Sequence, residues 1–304
     1  MDIFLSSLFS ASFFSMWMRV ATPIIFAALG AVVCEKSGVV NLGLEGIMLC
    51  SGLMGVVGSA LSGSLWVGML SGVAMGLAVS VVFAIFHLYL GADSVLCGTA
   101  INLFAEGFTV FFMVQLTGEK GSTSSLLSRT FPKVDIPLIK DIPAMGSLLS
   151  GHNVLTYVAF LAAVLVYLFL SRTRLGLRIR AVGEADVAIR SVGLNVRRLR
   201  FSAILICGVL ASFGGMYLSM GYLDMFVKDM VAGRGFIALA ANAMGRCTPF
   251  GTLVSALVFA FFDAMSNVMQ VFRVPSEFVQ MMPYAATIIG LVAYAVASRN
   301  KERQ

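Results

Sequence analysis

The stretch that decides how this chain is read is SGVVNLGLEGIMLCSGLMG, residues 37–55. It is apolar enough to enter a bilayer, yet it carries an amide at Asn41, a carboxylate at Glu45 and five glycines. An ionisable side chain inside a membrane is costly, and its default reading is functional. Irregular backbone at that depth is tolerated only where it is buried in protein or lines a cavity. Two readings of Glu45 stay open. It is a carboxylate near a helix end, capping donors or paired with a basic group such as Lys36, or it lines or couples the path of a solute.

The flanking sequence supplies the bilayer context. Hydrophobic residues make up 59% of the 304 and charged residues 12%, with a mean hydropathy of +0.94; soluble domains carry about 25% charged residues. The expected fold is therefore all-α, a polytopic transmembrane helical bundle forming a single domain over residues 1–304. Apolar runs between breakers predict spans at 13–33, 42–60, 64–89, 94–116, 153–171, 199–220, 250–271 and 279–297. The N-terminal residues lack a basic leader and a clear cleavage site, so they are expected to remain in the mature chain. Five scattered cysteines with apolar neighbours read as buried thiols rather than metal or disulfide chemistry.

The net charge of +6 matters less than its placement. Eight of the 21 basic residues fall within residues 172–200, and the tail adds Arg299, Lys301 and Arg303. Such segments face the cytoplasm and anionic lipid, not nucleic acid, and the long polar loop 117–152 is expected on the other side. The crossings then fail to close. An even number must separate the basic loop from the tail, and only three full spans lie between them.

The missing crossing is expected in GRGFIALAANAMGRCTPFG, residues 233–251. Its apolar part, residues 236–244, is about 14 Å long as a helix, roughly half a bilayer, before Gly245, Pro249 and Gly251 break it. Residues 37–45 have the same character: glycine-rich chain, Asn41 as a candidate N-cap, then a small-residue helix. Two interrupted segments in corresponding positions of two pseudo-repeated halves, about 1–150 and 199–298, point to a transporter site. The candidate solute path comprises Asn41, Glu45, Asn102, Phe236 and Asn242. For Asn102 and Asn242 the competing reading is a hydrogen bond between helices; Glu106, Asp93 and Asp263 share with Glu45 the alternative of a structural carboxylate close to the interface. The stripes Gly68, Gly72, Gly76 and Ser51, Gly55, Ser59 predict close helix packing.

The basic loop RTRLGLRIRAVGEADVAIRSVGLNVRRLR, residues 172–200, predicts a short helix over 184–192. Glu184 and Asp186 suit its positive end and Gly193 its C-terminal cap. Val187, Ala188, Ser191 and Val192 form a small or apolar stripe suited to a groove on a partner protein. The alternative is a loop that only anchors to headgroups.

Taken in order, GVVNLGLEGIML, GLRIRAVGEADVAIRSVGLNV and AGRGFIALAANAMGRCTPFGTLVSAL resemble the permease subunit of bacterial ABC importers for simple sugars, nucleosides and branched-chain amino acids. The likeness is nearest to the nucleoside or simple-sugar permeases. The resemblance implies a bundle of about 8–10 spans with discontinuous half-helices in the bacterial cytoplasmic membrane. It implies that this chain holds no cofactor and hydrolyses no ATP, consistent with the lack of a G-x-x-x-x-G-K-[ST] loop. The implied partners are a second permease subunit, an ABC ATPase with two nucleotide sites that binds the ATP, and an extracytoplasmic binding protein or lipoprotein. Glu184, Ala185, Val187, Ala188, Arg190, Ser191 and Gly193 map onto the helix that seats in the ATPase. Cys247 and Thr248 depart from the bulkier or amide side chains frequent in relatives, which leaves riboflavin and related solutes open as alternatives. An ion-coupled secondary transporter would share the half-helices but need no docking helix. An embedded enzyme lacks support, since neither His87 nor His152 lies in a metal or nucleophile motif. A transport-inactive scaffold or receptor subunit is the remaining class.

Overall fold

A computed structural model describes residues 11–134 and 151–271. The span expected at 279–297 and the basic tail lie outside the described residues. Among the described residues seven helices are long and apolar enough to cross a membrane. They are α1 (Ala11–Glu35), α2 (Leu44–Ser62), α3 (Leu65–Ala84, running into a π turn at Ile85–Tyr89), α4 (Ser94–Thr117), α5 (Val154–Arg172), α8 (Val196–Tyr217, with a π turn at Leu218–Tyr222) and α10 (Pro249–Val271). These match the seven expected spans among the described residues to within a few positions. Short helices α6 (Arg174–Glu184), α7 (Asp186–Ser191) and α9 (Arg234–Met244) complete the set, and a two-residue pair, β1 (Lys133–Val134) with β2 (His152–Asn153), is antiparallel.

Helix α1 is the axis of the bundle. It is buried over most of its length and packs against α5, α8, α9 and α10. Trp17 donates its indole N–H to the Leu257 carbonyl of α10 at 2.8 Å, and Thr22 bonds Thr156 of α5 at 3.1 Å. Around α1 the sequence solves a membrane problem: lipid is as apolar as leucine, so helices associate by close backbone packing rather than by leaving water. The glycine and serine stripes do this at α2, α3 and α8. On α3, Gly76 faces Ser212 of α8, while Ser80 of α3 faces Gly208 of α8. Each serine hydroxyl bonds its own helix, Ser80 to Gly76 and Ser212 to Gly208, so the two pairs interlock without an unsatisfied donor.

The two ends of the bundle are distinguishable. At one end the polar loop after α4 folds onto the turn after α8: Phe131 N–H donates to Met220 O at 2.8 Å and Thr123 N–H to Phe226 O at 2.9 Å. At the other end the basic segment packs on the turn after α1. A Cβ at Gly183 would lie 2.2 Å from Lys36 O, and Arg200 donates to Ser37 O at 3.2 Å. Val182, Val196 and Leu199 form a small separate core there, with Ile189 and Leu194 against it.

The interrupted segment expected between the spans 199–220 and 250–271 is present as a short helix between irregular stretches. From Phe226 the chain descends as irregular backbone to Gly233, continues as α9, turns at residues 245–248 and re-enters the bundle as α10. The half-helix begins at Arg234, two residues before the expected apolar run. The helix expected over 184–192 needs correction: Glu184 closes α6, Ala185 breaks the chain at φ −153, and the second helix is only Asp186–Ser191. Gly193 follows with φ +77, the left-handed geometry expected of a C-terminal glycine.

Gly215 tests the close packing, because an added methyl there would sit 2.1 Å from the Met48 carbonyl. Overpacking of this kind costs about 1–3 kcal/mol. Gly215→Ala is expected to lower the thermal unfolding midpoint in detergent, and Gly107→Ala, where no atom lies within 4 Å, to leave it unchanged. Equal midpoints for both would show that α2 and α8 do not touch at backbone distance.

Candidate functional site

Helix α2 begins inside the bundle, and its start must find hydrogen-bond partners without water. After the turn at residues 36–38 the chain continues as irregular backbone past Val39 and Asn41, both buried. Asn41 does not occupy the N-cap position, which is Gly43. Instead its Oδ1 accepts from Gly43 N–H at 2.9 Å, and its Nδ2 approaches Cys207 Sγ of α8 at 3.8 Å. A short amide is suited to this bond two residues ahead along its own chain. Asn102 of α4 completes the arrangement: its Oδ1 accepts from Gly46 N–H at 2.9 Å and its Nδ2 donates to Leu42 O at 3.0 Å. One amide thereby satisfies a donor and an acceptor at the helix start. Asn102 lies eight residues into α4, about 12 Å from its end, so this cluster sits well within the span.

Glu45, in the first turn of α2, reaches across to the second irregular segment. Its Oε1 accepts from Gly233 N–H and its Oε2 from Gly235 N–H, both at 2.7 Å. These are free donors at the N-terminal end of α9, where a carboxylate also meets the positive end of the helix dipole. The expectation of a carboxylate near a helix end capping donors describes this geometry; the capped helix is not its own, and Lys36 is not its partner. The local backbone is made for the contact. Gly233 has φ +81, and a Cβ at Gly235 would lie 2.6 Å from Glu45 N, so a side chain at Gly235 would push the two segments apart. Arg234, between them, pairs with Asp263 of α10 at 3.3 Å and donates to Met230 O and Val231 O.

The other end of α9 is held by Asn242. This buried amide donates to the Glu35 carboxylate at the end of α1 and accepts from Thr252 Oγ1 of α10 at 3.3 Å. Phe236, by contrast, is 44% exposed on the first turn of α9. The structure thus gathers Asn41, Glu45 and Asn102 around the start of α2, places Asn242 more than two turns away along α9, and leaves Phe236 outside both clusters. Glu184, Ala185, Val187, Ala188, Arg190, Ser191 and Gly193 lie apart, at the basic end. Sequence reasoning missed Glu35 and Arg234. A carboxylate in the last turn of a helix opposes the dipole, and that misfit marked Glu35 as a residue with a distant partner.

Residues 13–296 match the family described as branched-chain amino acid transport system / permease component. The chain is 33% identical to the nucleoside ABC transporter permease protein NupC of Lactococcus lactis subsp. cremoris, covering 90% of this chain and 89% of that protein. It is 35% identical to the guanosine ABC transporter permease protein NupQ of Bacillus subtilis, with the same 90% and 89% coverage. A second permease of the same Lactococcus, NupB, matches at 26% identity over 96% of this chain and 82% of its own length. The fold is also similar to PsaBC from Streptococcus pneumoniae, solved in complex with Fab, at a TM-score of 0.54 and 13% identity, covering 95% of this chain and 94% of that one. The chain belongs to this permease family and is an integral membrane protein.

Glu45→Gln replaces one acceptor of the clamp with an NH2 group facing a backbone donor. Leaving a buried donor unsatisfied costs about 1–3 kcal/mol, so the variant is expected to unfold at lower temperature than wild type. Gly235→Ala should do the same by steric push, and the double variant should fall short of the sum, because both changes break one contact. Strict additivity would show that the two residues do not share an interaction.

Proposed function

We propose that this chain is the membrane-spanning subunit through which an ATP-driven importer passes a nucleoside or a simple sugar. It hydrolyses no ATP itself. It pairs with a second, homologous permease, is driven by an ATPase with two nucleotide sites docked at α7, and receives solute from an extracytoplasmic binding protein. The solute class follows the named activities of NupC and NupQ. The heterodimer follows from one organism holding two permeases that both match this chain, NupC and NupB.

The observation that carries the mechanism is the contact between the basic segment and the turn after α1. α7 offers no buried residue; Val187, Ala188, Ser191 and Val192 are all exposed, with Val187 and Val192 each at 73%. Ile189 alone of that helix packs inward, onto Val182, Val196 and Leu199. Gly183 then abuts Lys36 and Gly38, and Arg200 holds Ser37. From that turn the irregular segment leads to Glu45, and Glu45 holds the half-helix. A push on α7 therefore has a chain of contacts into the interior. In alternating access, ATP-driven closure of the ATPases shifts the population between states that open the interior to one face or the other. On this reading the basic end faces the cytoplasm of a bacterial inner membrane and the loop 117–134 faces out.

The test is uptake by the reconstituted complex with its binding protein. Ala188→Glu places a charge on the exposed stripe, and Gly193→Val forces a β-branched residue into a left-handed backbone. Each is expected to bring ATP hydrolysis stimulated by loaded binding protein down to the basal rate while the subunit still accumulates in the membrane. Full stimulation and uptake in both variants would remove α7 as the docking element. A wild-type complex that carries neither uridine nor glucose, yet carries another solute, would remove the solute class.

A further inference from the structure

Past Glu45, toward the end of the bundle covered by residues 118–131, lies a cavity of about 240 Å³ lined by Leu49, Glu106, Thr109, Lys228 and Asp229. Leu49 is one turn beyond Glu45 on α2, and Glu106 is one turn beyond Asn102 on α4, so the cavity opens where the buried polar cluster ends. Glu106, Lys228 and Asp229 are all exposed. Glu106 stands near the middle of Ser94–Thr117, roughly 17 Å from either end of that helix. A carboxylate at that depth does not face lipid; it faces a water-filled route or another polar surface. Lys228 and Asp229 belong to the descending irregular segment that Glu45 holds, and Asp229 is itself in the left-handed region at φ +55. Strained, irregular backbone at membrane depth has a reason to exist where it borders a route.

We infer that this cavity is the solute-contacting wall of the permease. Glu106 and Asp229 accept hydrogen bonds from the hydroxyl or ring N–H groups of a neutral solute, and the Lys228 ammonium donates to its ring or carbonyl oxygens. Charge-assisted hydrogen bonds of this kind are about twice as strong as neutral ones, so a few suffice to replace the water that a polyhydroxylated solute sheds. The inference rests on the reading of the chain as an importer subunit. It differs from the solute path expected from sequence: Asn41, Glu45 and Asn102 spend their hydrogen bonds on the protein, whereas Glu106, Lys228 and Asp229 present theirs to the cavity.

The experiment uses the complete transporter in membranes, with Cys247, the one part-exposed native thiol among the described residues, replaced by serine. Single cysteines are placed at Glu106, at Asp229 and, as a control, at Leu161, an exposed apolar position on α5. A trimethylammonium-ethyl methanethiosulfonate is expected to modify the first two at least about tenfold faster than the third, since a cation reaches a wet position and not hydrocarbon. Uridine with binding protein and ATP should slow that modification. Glu106→Gln should raise the KM for uridine more than it lowers the turnover, with Glu106→Asp recovering part of the affinity. Modification as slow at positions 106 and 229 as at 161 would overturn the wet wall and assign that face to lipid or to the second permease. Fast modification that uridine and glucose leave unchanged, in a complex that transports either, would overturn solute contact. The labelling rates need no substrate, so a complex that carries neither solute would defeat the assigned solute class and leave the wet wall to stand or fall on the rates alone.

Discussion

Everything distinctive in this molecule depends on backbone groups that end inside the membrane. A helix that starts at depth leaves N–H groups without partners, and in the absence of water each must be given one. The Glu45 carboxylate meets that constraint for the half-helix, accepting from Gly233 and Gly235 with one oxygen each. Asn102 and Asn41 meet it for the start of α2. The two irregular segments are stable because each is completed by side chains from elsewhere in the fold, and the same arrangement locks their relative position. Moving one segment moves the other or breaks the clamp.

Around this centre the helices are joined in two ways. The interlocked Gly76, Ser80, Gly208 and Ser212 bring α3 and α8 to backbone contact, and Gly215 does the same for α2 and α8. Small residues at such spacing leave little room for sliding, because any shift drives an atom into a backbone. Helix α9 is held by side-chain bonds as well: Asn242 bonds Glu35 of α1, and within the α9–α10 pair Asn242 bonds Thr252 and Arg234 pairs with Asp263. The geometry gives a close-packed block of α2, α3 and α8, to which Glu45 ties the start of the half-helix.

Much of this was legible in the residues. Hydrophobic runs gave the seven described spans, since a length of apolar sequence is a local property. The half-helix was legible because its apolar run is too short for a full span and glycine and proline mark its ends. Legibility stopped where structure depended on pairing over long distances. Nothing near Glu45 points to Gly233, and the short amphipathic helix α6 was hidden by arginines that read as a headgroup anchor. The cap at Asn41 was misplaced by two residues because an asparagine bonding its own turn and an asparagine capping a helix have the same signature. Lys228 and Asp229 were missed for a different reason: they lie in a segment with no periodicity, and only the folded chain brings them beside Glu106.

The separation of the clamp in sequence has a consequence for biosynthesis. Glu45 and its two donors are 188 and 190 residues apart, so during translation the carboxylate enters the membrane long before its partners exist. Until the ribosome has made the second half, α1 and α2 hold a polar cluster that only Asn102 partly covers, and the axis helix lacks α8, α9 and α10 around it. The first half is therefore incomplete until the second is made. The carboxylate gains its two donors only when residues 233–235 reach the bundle, after α1 to α5 and α8 have been made.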